Sequence, residues 1–165
     1  MRNRQQKRLN QRREGNRIQH ILCPTDLKER AYISLEKAVQ IAHQFNARIT
    51  MLNVHSEFMD KQERKMLRVS VDNLKEKYQQ VATESKEQMK AVIQKLHAED
   101  IEISYLLRKG KPADTIIDVS AEEKVDLIVI CTDGRDNLKD FVTGTITEQV
   151  INHAPCPVLV IPHRK

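Results

Sequence analysis

The chain has 165 residues, 31% of them charged, with a mean hydropathy of −0.58 and a formal net charge of +5. That length suits one domain, which can bury roughly 68–70% of its unfolded surface without disulfide or metal staples. No apolar run approaches the ~18 residues of a membrane span. The charged start is not followed by the apolar core of a secretory signal, and its Gln-rich character lacks the amphipathic face of a transit peptide, so a cytoplasmic protein is expected.

Cys23, Cys131 and Cys156 form an odd set with no CxxC spacing, as expected of reduced thiols in a reducing compartment. Cys23 and Cys131 fall at the same ends of two predicted strands. A redox pair or soft-metal site there is the minor alternative.

The positive charge is not spread evenly. Residues 1–17 carry Arg2, Arg4, Lys7, Arg8, Arg12, Arg13 and Arg17 against Glu14, a net of +6, which leaves −1 for the rest. Their apolar residues are Met1 and Leu9. Too little surface can be buried to offset ordering, so 1–17 reads as a basic disordered arm before a single α/β domain, 18–165. Such an arm can bind nucleic acid or an anionic surface by counterion release. A solvated tail with no dedicated partner and a basic helix exchanged onto a second subunit are the other readings.

Ile18 to Cys23 reads as a short first strand, ended by Pro24-Thr25-Asp26. Asp26 then stands at a carboxyl strand end, where open parallel sheets bind ligands at a reversal of strand order. A capping or turn aspartate is the alternative. A helix follows from about Ala31 to Phe45, with Leu35, Ala38, Val39, Ala42 and Phe45 as its stripe and His43 on its surface. Ala47 to His55 is the second strand. Asp60 to Ala98 is one long polar helix, or a short helix and a long one. Leu67, Val71, Leu74, Tyr78, Val81, Met89, Val92, Ile93 and Leu96 recur as a stripe expected to pack on the sheet; a coiled coil is the alternative, against which Ser85 interrupts the seam.

Ile101, Ile103, Tyr105 and Leu107 alternate as the third strand. Gly110 turns the chain and Pro112 opens the next helix, where a missing N–H is harmless. Ile116, Ile117 and Ala121 are its expected buried side. Leu127 to Ile130 is a continuous apolar run, as in a strand covered on both faces. A loop by composition runs from Thr132 to Gly144. A helix from Thr145 to about His153 and a strand from Pro157 to Ile161 close the chain. Five strands alternate with four helical segments, each crossover long enough to return parallel, so a Rossmann-like open parallel sheet with helices on both faces is expected.

The fourth strand, the loop after it and the helix that follows form a unit with chemistry in it. Thr145 and Glu148 have the spacing of a capping box. The free N–H groups of the first helical turn, reached through a glycine-bearing loop, can hold a phosphate. No GxxxxGK[ST], GxSxG or HExxH occurs, and no residue presents itself as a catalytic base, so the chain is expected not to be an enzyme beyond slow incidental hydrolysis of a phosphate held there.

Gly134, nine residues, then Gly144-Thr145 resembles the second half of the Gly-x2-Gly-x9-Gly-Ser/Thr signature of the universal stress protein (UspA-like) family. The stretch from Thr145 to Pro162, with its His153-Ala-Pro-Cys-Pro157 turn, resembles that family's closing helix and strand. Ile21-Leu-Cys-Pro-Thr-Asp26 and Gly110-Lys-Pro-Ala-Asp-Thr-Ile116 are similar to its first strand and its turn into the third helix. The resemblance covers about Arg17 to Pro162, and the first signature glycine falls on Cys131.

The resemblance implies strand order 3-2-1-4-5 and a homodimer through the final strand, Val158 to Ile161. It also implies a site for ATP or AMP, with Mg or Mn. Pro24, Asp26 and Val54 would lie at ribose and base. Ile130 would be a base contact beside Cys131, and Gly134, Gly144, Thr145 and Ile146 would meet the phosphates. Asp133 and Asp136 bring negative charge to that loop, offset by Arg135 and Lys139 or used to hold the metal. A side chain at Cys131 in place of glycine opposes close approach of a ligand. The alternative is therefore an interaction protein of the same fold with an empty site, tethered by its basic arm.

Overall fold

The computed structural model describes residues 18–27, 29–55, 71–132 and 145–162. The basic arm 1–17, the expected start of the long helix (60–70) and the loop carrying Gly134 and Gly144 lie outside the described residues.

The described elements are β1 (His20–Thr25), α1 (Glu29–Phe45), β2 (Arg48–His55), α2 (Val71–Lys95), β3 (Ile103–Lys109), α3 (Pro112–Glu122), β4 (Leu127–Thr132), α4 (Ile146–His153) and β5 (Val158–Pro162). The five strands form one parallel sheet in the order β3-β2-β1-β4-β5. Strand alternation sorts the core into two layers. Ile21, Cys23, Ile49, Met51, Leu127 and Val129 face α1 and α2, whose Leu35, Ala38, Met89 and Ile93 meet them. Leu22, Leu52, Ile128 and Ile130 face α3 and α4, whose Ile116, Val119 and Val150 meet them. Each fully buried aliphatic side chain contributes about 1.5–3 kcal/mol.

Several expected boundaries shift for physical reasons. β1 does not stop at Cys23: Pro24 and Thr25 continue it, in register with Leu52 and Asn53. β1 and β4 pair only at Ile21–Leu127 and Leu22–Ile128, so Pro24, lacking an N–H, lies beyond that ladder. β4 runs past Ile130 through Cys131 and Thr132, which pair with Ile161 and Pro162. β3 is displaced toward its carboxyl end: Ile101 precedes it, and Arg108 and Lys109 pair with Val54 and His55.

In α3 the buried side is Ala113, Ile116, Val119 and Ser120 rather than Ile116, Ile117 and Ala121. The true stripe steps by three and four from Ala113. In α2, Met89 and Ile93 are buried, but Tyr78 is 40% exposed, so among the described side chains the burial against the sheet lies in the later turns. Gly110 is required by space, since a side chain there would run into Thr115 Oγ1.

Candidate functional site

The carboxyl end of the sheet carries the unusual geometry. β1 remains paired to β2 out to Thr25, and β4 to β5 out to Thr132, but the recorded β1–β4 pairs end at Leu22–Ile128. The two central strands thus part at the point where strand order reverses. This is the crevice in which open α/β sheets take ligands.

Three expected site residues come together on one face there. Ile130 is buried and Val54 is packed in the same layer as Leu52 and Ile128. Pro24 follows Leu22 by two positions on β1 and shares that face by alternation. Together they make an apolar wall. Asp26 follows directly after β1 and is exposed. Leu27, next in the chain, has φ +61°, a left-handed conformation that a leucine adopts only under constraint. The constraint is visible: Leu27 N–H donates to Thr25 Oγ1 at 3.0 Å.

Thr145 is the N-cap of α4, its Oγ1 accepting from Glu148 N–H at 3.2 Å. The hydroxyl half of the expected capping box is in place. Ile146 opens the helix and is 44% exposed. Because α4 returns the chain from β4 to parallel β5, its N-terminus lies at the same end of the sheet as the crevice, where its dipole favours an anion. Gly134 and Gly144 lie outside the described residues.

Cys131 stands one residue past Ile130 in β4 and therefore presents its side chain to the opposite, α1-side face, two positions on from Val129. Its Sγ lies 3.5 Å from the carbonyl oxygen of Thr132. Cys23 shares that face and is fully buried. Burial pushes its thiol up to about 12, which leaves it a poor nucleophile. Among the described residues no group of three or more His, Cys, Asp or Glu side chains is arranged to hold a metal. Nor is any described helix long and apolar enough to cross a membrane.

Sequence reasoning passed over two polar groups. Asn53, in β2, is buried and hydrogen-bonded to the end of β1. Arg108 pairs in register with Val54 and stands two positions from Leu106 on the same face, which sets a cation beside the apolar wall. A single polar residue in an apolar strand gives no periodic signal. A recess of about 250 Å³, lined by Lys90, Glu99, Ile101 and Tyr105 among others, lies between the end of α2 and β3, away from this crevice.

Residues 17–162 match the model of the universal stress protein family. The chain is similar to a universal stress protein of Methanocaldococcus jannaschii, with 30% identity over 152 residues, 91% of this chain and 85% of that one. Among solved structures it is similar to the universal stress protein UspA from Lactobacillus plantarum, at 28% identity and a TM-score of 0.66, covering 88% of this chain and 98% of that one. It shares its fold with the universal stress protein from Archaeoglobus fulgidus in complex with dAMP, at 19% identity and a TM-score of 0.57, covering 88% and 97%.

Proposed function

This chain belongs to the universal stress protein family, and on that premise we propose that it binds an adenine nucleotide, ATP or AMP, and acts as a regulatory homodimer rather than as an enzyme. The observation that carries the reading is the parting of β1 from β4, with Pro24, Val54 and Ile130 on one face of the opening. A purine has apolar faces and polar edges, so an apolar wall bounded by strand backbone suits it. Asp26, at the end of β1, is the acceptor for ribose hydroxyls. The phosphates go to the start of α4, at Thr145 and Ile146, with Gly134 and Gly144 leading into it and Mg or Mn neutralising their charge. The dAMP complex of the Archaeoglobus fulgidus relative supports an adenine nucleotide as ligand class.

The dimer forms through β5. This strand pairs only with β4 among the described strands, and Val158 to Ile161 are half-buried. A short apolar edge of this kind is stabilised by pairing with a second copy.

A second reading has one feature in its favour. Cys131 stands where the family signature has its first glycine, as it would in an interaction protein whose site has been lost. In that case residues 1–17 would tether the protein to nucleic acid or an anionic surface.

The test is the nucleotide content of the purified protein, read by denaturing it and chromatographing the supernatant, before and after incubation with ATP and magnesium or manganese. Retained or saturable ATP is the expected result. A protein that stays empty at millimolar ATP, which corresponds to about 4 kcal/mol of binding free energy or less, favours the second reading.

A further inference from the structure

Asn53 is buried to 4% exposure, one position before Val54. Alternation places its side chain on the face of α1 and α2, away from the crevice. Ile49 and Met51, its neighbours on that face of β2, are apolar. A buried amide costs desolvation that an aliphatic side chain in the same space would avoid, unless every polar atom is partnered.

Its partners lie on three elements. Nδ2 donates to the carbonyl oxygen of Thr25 at 2.8 Å. Oδ1 accepts from His55 Nε2 at 2.6 Å and from Ser85 Oγ at 3.3 Å. Ser85 belongs to α2 and is itself 4% exposed. The amide therefore fastens α2 and β2 to the last residue of β1. Thr25 passes the constraint on, because its Oγ1 holds the left-handed Leu27 and Asp26 lies between the two. This end of β1 lies beyond its recorded pairs with β4, so Asn53 holds it from the β2 side.

We propose that Asn53 is a positioning residue of the nucleotide site, acting through Thr25 to hold Asp26 at the rim of the crevice. This rests on the adenine-nucleotide reading. Asn53 does not touch the ligand; it fixes the segment that does, so the ordering is complete before binding.

The test is a set of ATP titrations with magnesium, by calorimetry, on the full chain. Asn53→Leu keeps the branching and the number of side-chain heavy atoms, in a larger side chain, but cannot donate to Thr25. Thr25→Val removes the hold on Leu27 without altering the core, and serves if the first variant fails to fold. Ser85→Ala removes the α2 partner and leaves the Thr25 contact.

Asn53→Leu and Thr25→Val are each expected to weaken ATP about tenfold, the scale of one hydrogen bond. Ser85→Ala is expected to stay within about twofold of wild type while still lowering the melting temperature. In double variants, the loss from Asn53→Leu should be largely absent once Asp26 is alanine, yet should add to that of Thr145→Ala. A purely structural role would lower the melting temperature of Asn53→Leu with its ATP affinity unchanged. That result, or full additivity with Asp26→Ala, overturns the proposal while leaving the nucleotide reading intact. A wild-type protein that binds no ATP overturns both.

Discussion

His20 Nε2 and Thr50 Oγ1 lie 2.8 Å apart at the amino end of the sheet, and Thr50 Oγ1 lies 2.9 Å from Ser104 Oγ, so a polar chain crosses β1, β2 and β3 on the α3-side face, from buried His20 and Thr50 to exposed Ser104. His20 Nδ1 faces two competing partners, the Glu123 carbonyl at the end of α3 at 3.1 Å and Arg48 Nη2 at 3.0 Å. One nitrogen cannot donate to the carbonyl and accept from the guanidinium in the same tautomer.

Stability follows from that environment as a function of pH. Burial, then the Arg48 charge, hold the His20 imidazolium below its ordinary pKa of 6.5, against the opposing pull of the Glu123 carbonyl and of the Glu123 and Asp126 carboxylates. A lowered folded pKa means that the unfolded chain binds the proton first as pH falls. This contribution is therefore full above the unfolded value and is lost as pH drops through it toward the folded one. Urea midpoints should be level above about pH 7 and fall below about pH 6.5, and His20→Gln should flatten that part of the curve. A His20→Gln variant with the wild-type acid slope would contradict the assignment.

The Thr145 cap should matter whether or not a ligand is bound. Loss of its bond to Glu148 N–H in Thr145→Ala is expected to cost about 1 kcal/mol. Denaturant unfolding at constant m-value measures it. ATP affinity should fall as well, because the same residue opens the phosphate end of the proposed site.

Cys131→Gly separates the two functional readings. The Cys131 side chain lies on the α1-side face, so removing it should change ATP affinity less than about threefold. A glycine inside β4 should lower stability by roughly 0.5–1 kcal/mol. A gain in affinity of a hundredfold on this substitution would mean that Cys131 obstructs the site.

The length of α2 gives a packing test. Met89 is buried against the sheet, and Met89→Ala is expected to cost about 2–5 kcal/mol. Tyr78 stands on an exposed turn of the same helix, and Tyr78→Ala should cost about 1 kcal/mol or less. Equal losses would show that the stripe packs along its whole length.

For the dimer, Val160→Lys places a charge in the apolar edge strand. Sedimentation equilibrium should show the wild type as a dimer and this variant as a monomer. A monomeric wild type would remove β5 pairing from the account.

The strands were legible where alternation was clean, as from Ile103 to Leu107, although the expected start at Ile101 was two residues early, and the continuous run Leu127 to Ile130 marked a strand covered on both faces. Their order was not legible from spacing, because right-handed crossovers allow several; 3-2-1-4-5 followed from the resemblance. Pro24 was misread as a strand end because local rules cannot show that its missing N–H falls outside the β1–β4 ladder. Thr145 announced itself through Glu148 three residues on. Asn53, His20 and Ser85 did not, because a polar side chain inside an apolar pattern shows its purpose only through partners distant in sequence. The register that joins Asn53 to Thr25 is a tertiary fact.

The most direct measurement of the central claim is an ATP titration of the isotope-labelled wild-type protein, followed by backbone amide shifts. Saturable changes concentrated at Asp26, Leu27, Val54, Ile130, Thr145 and Ile146, with β3 and the end of α2 unmoved, are the predicted result. Shifts that fail to saturate at about 1 mM ATP, the range of a 4 kcal/mol interaction, or that map to the recess beside β3, would contradict it.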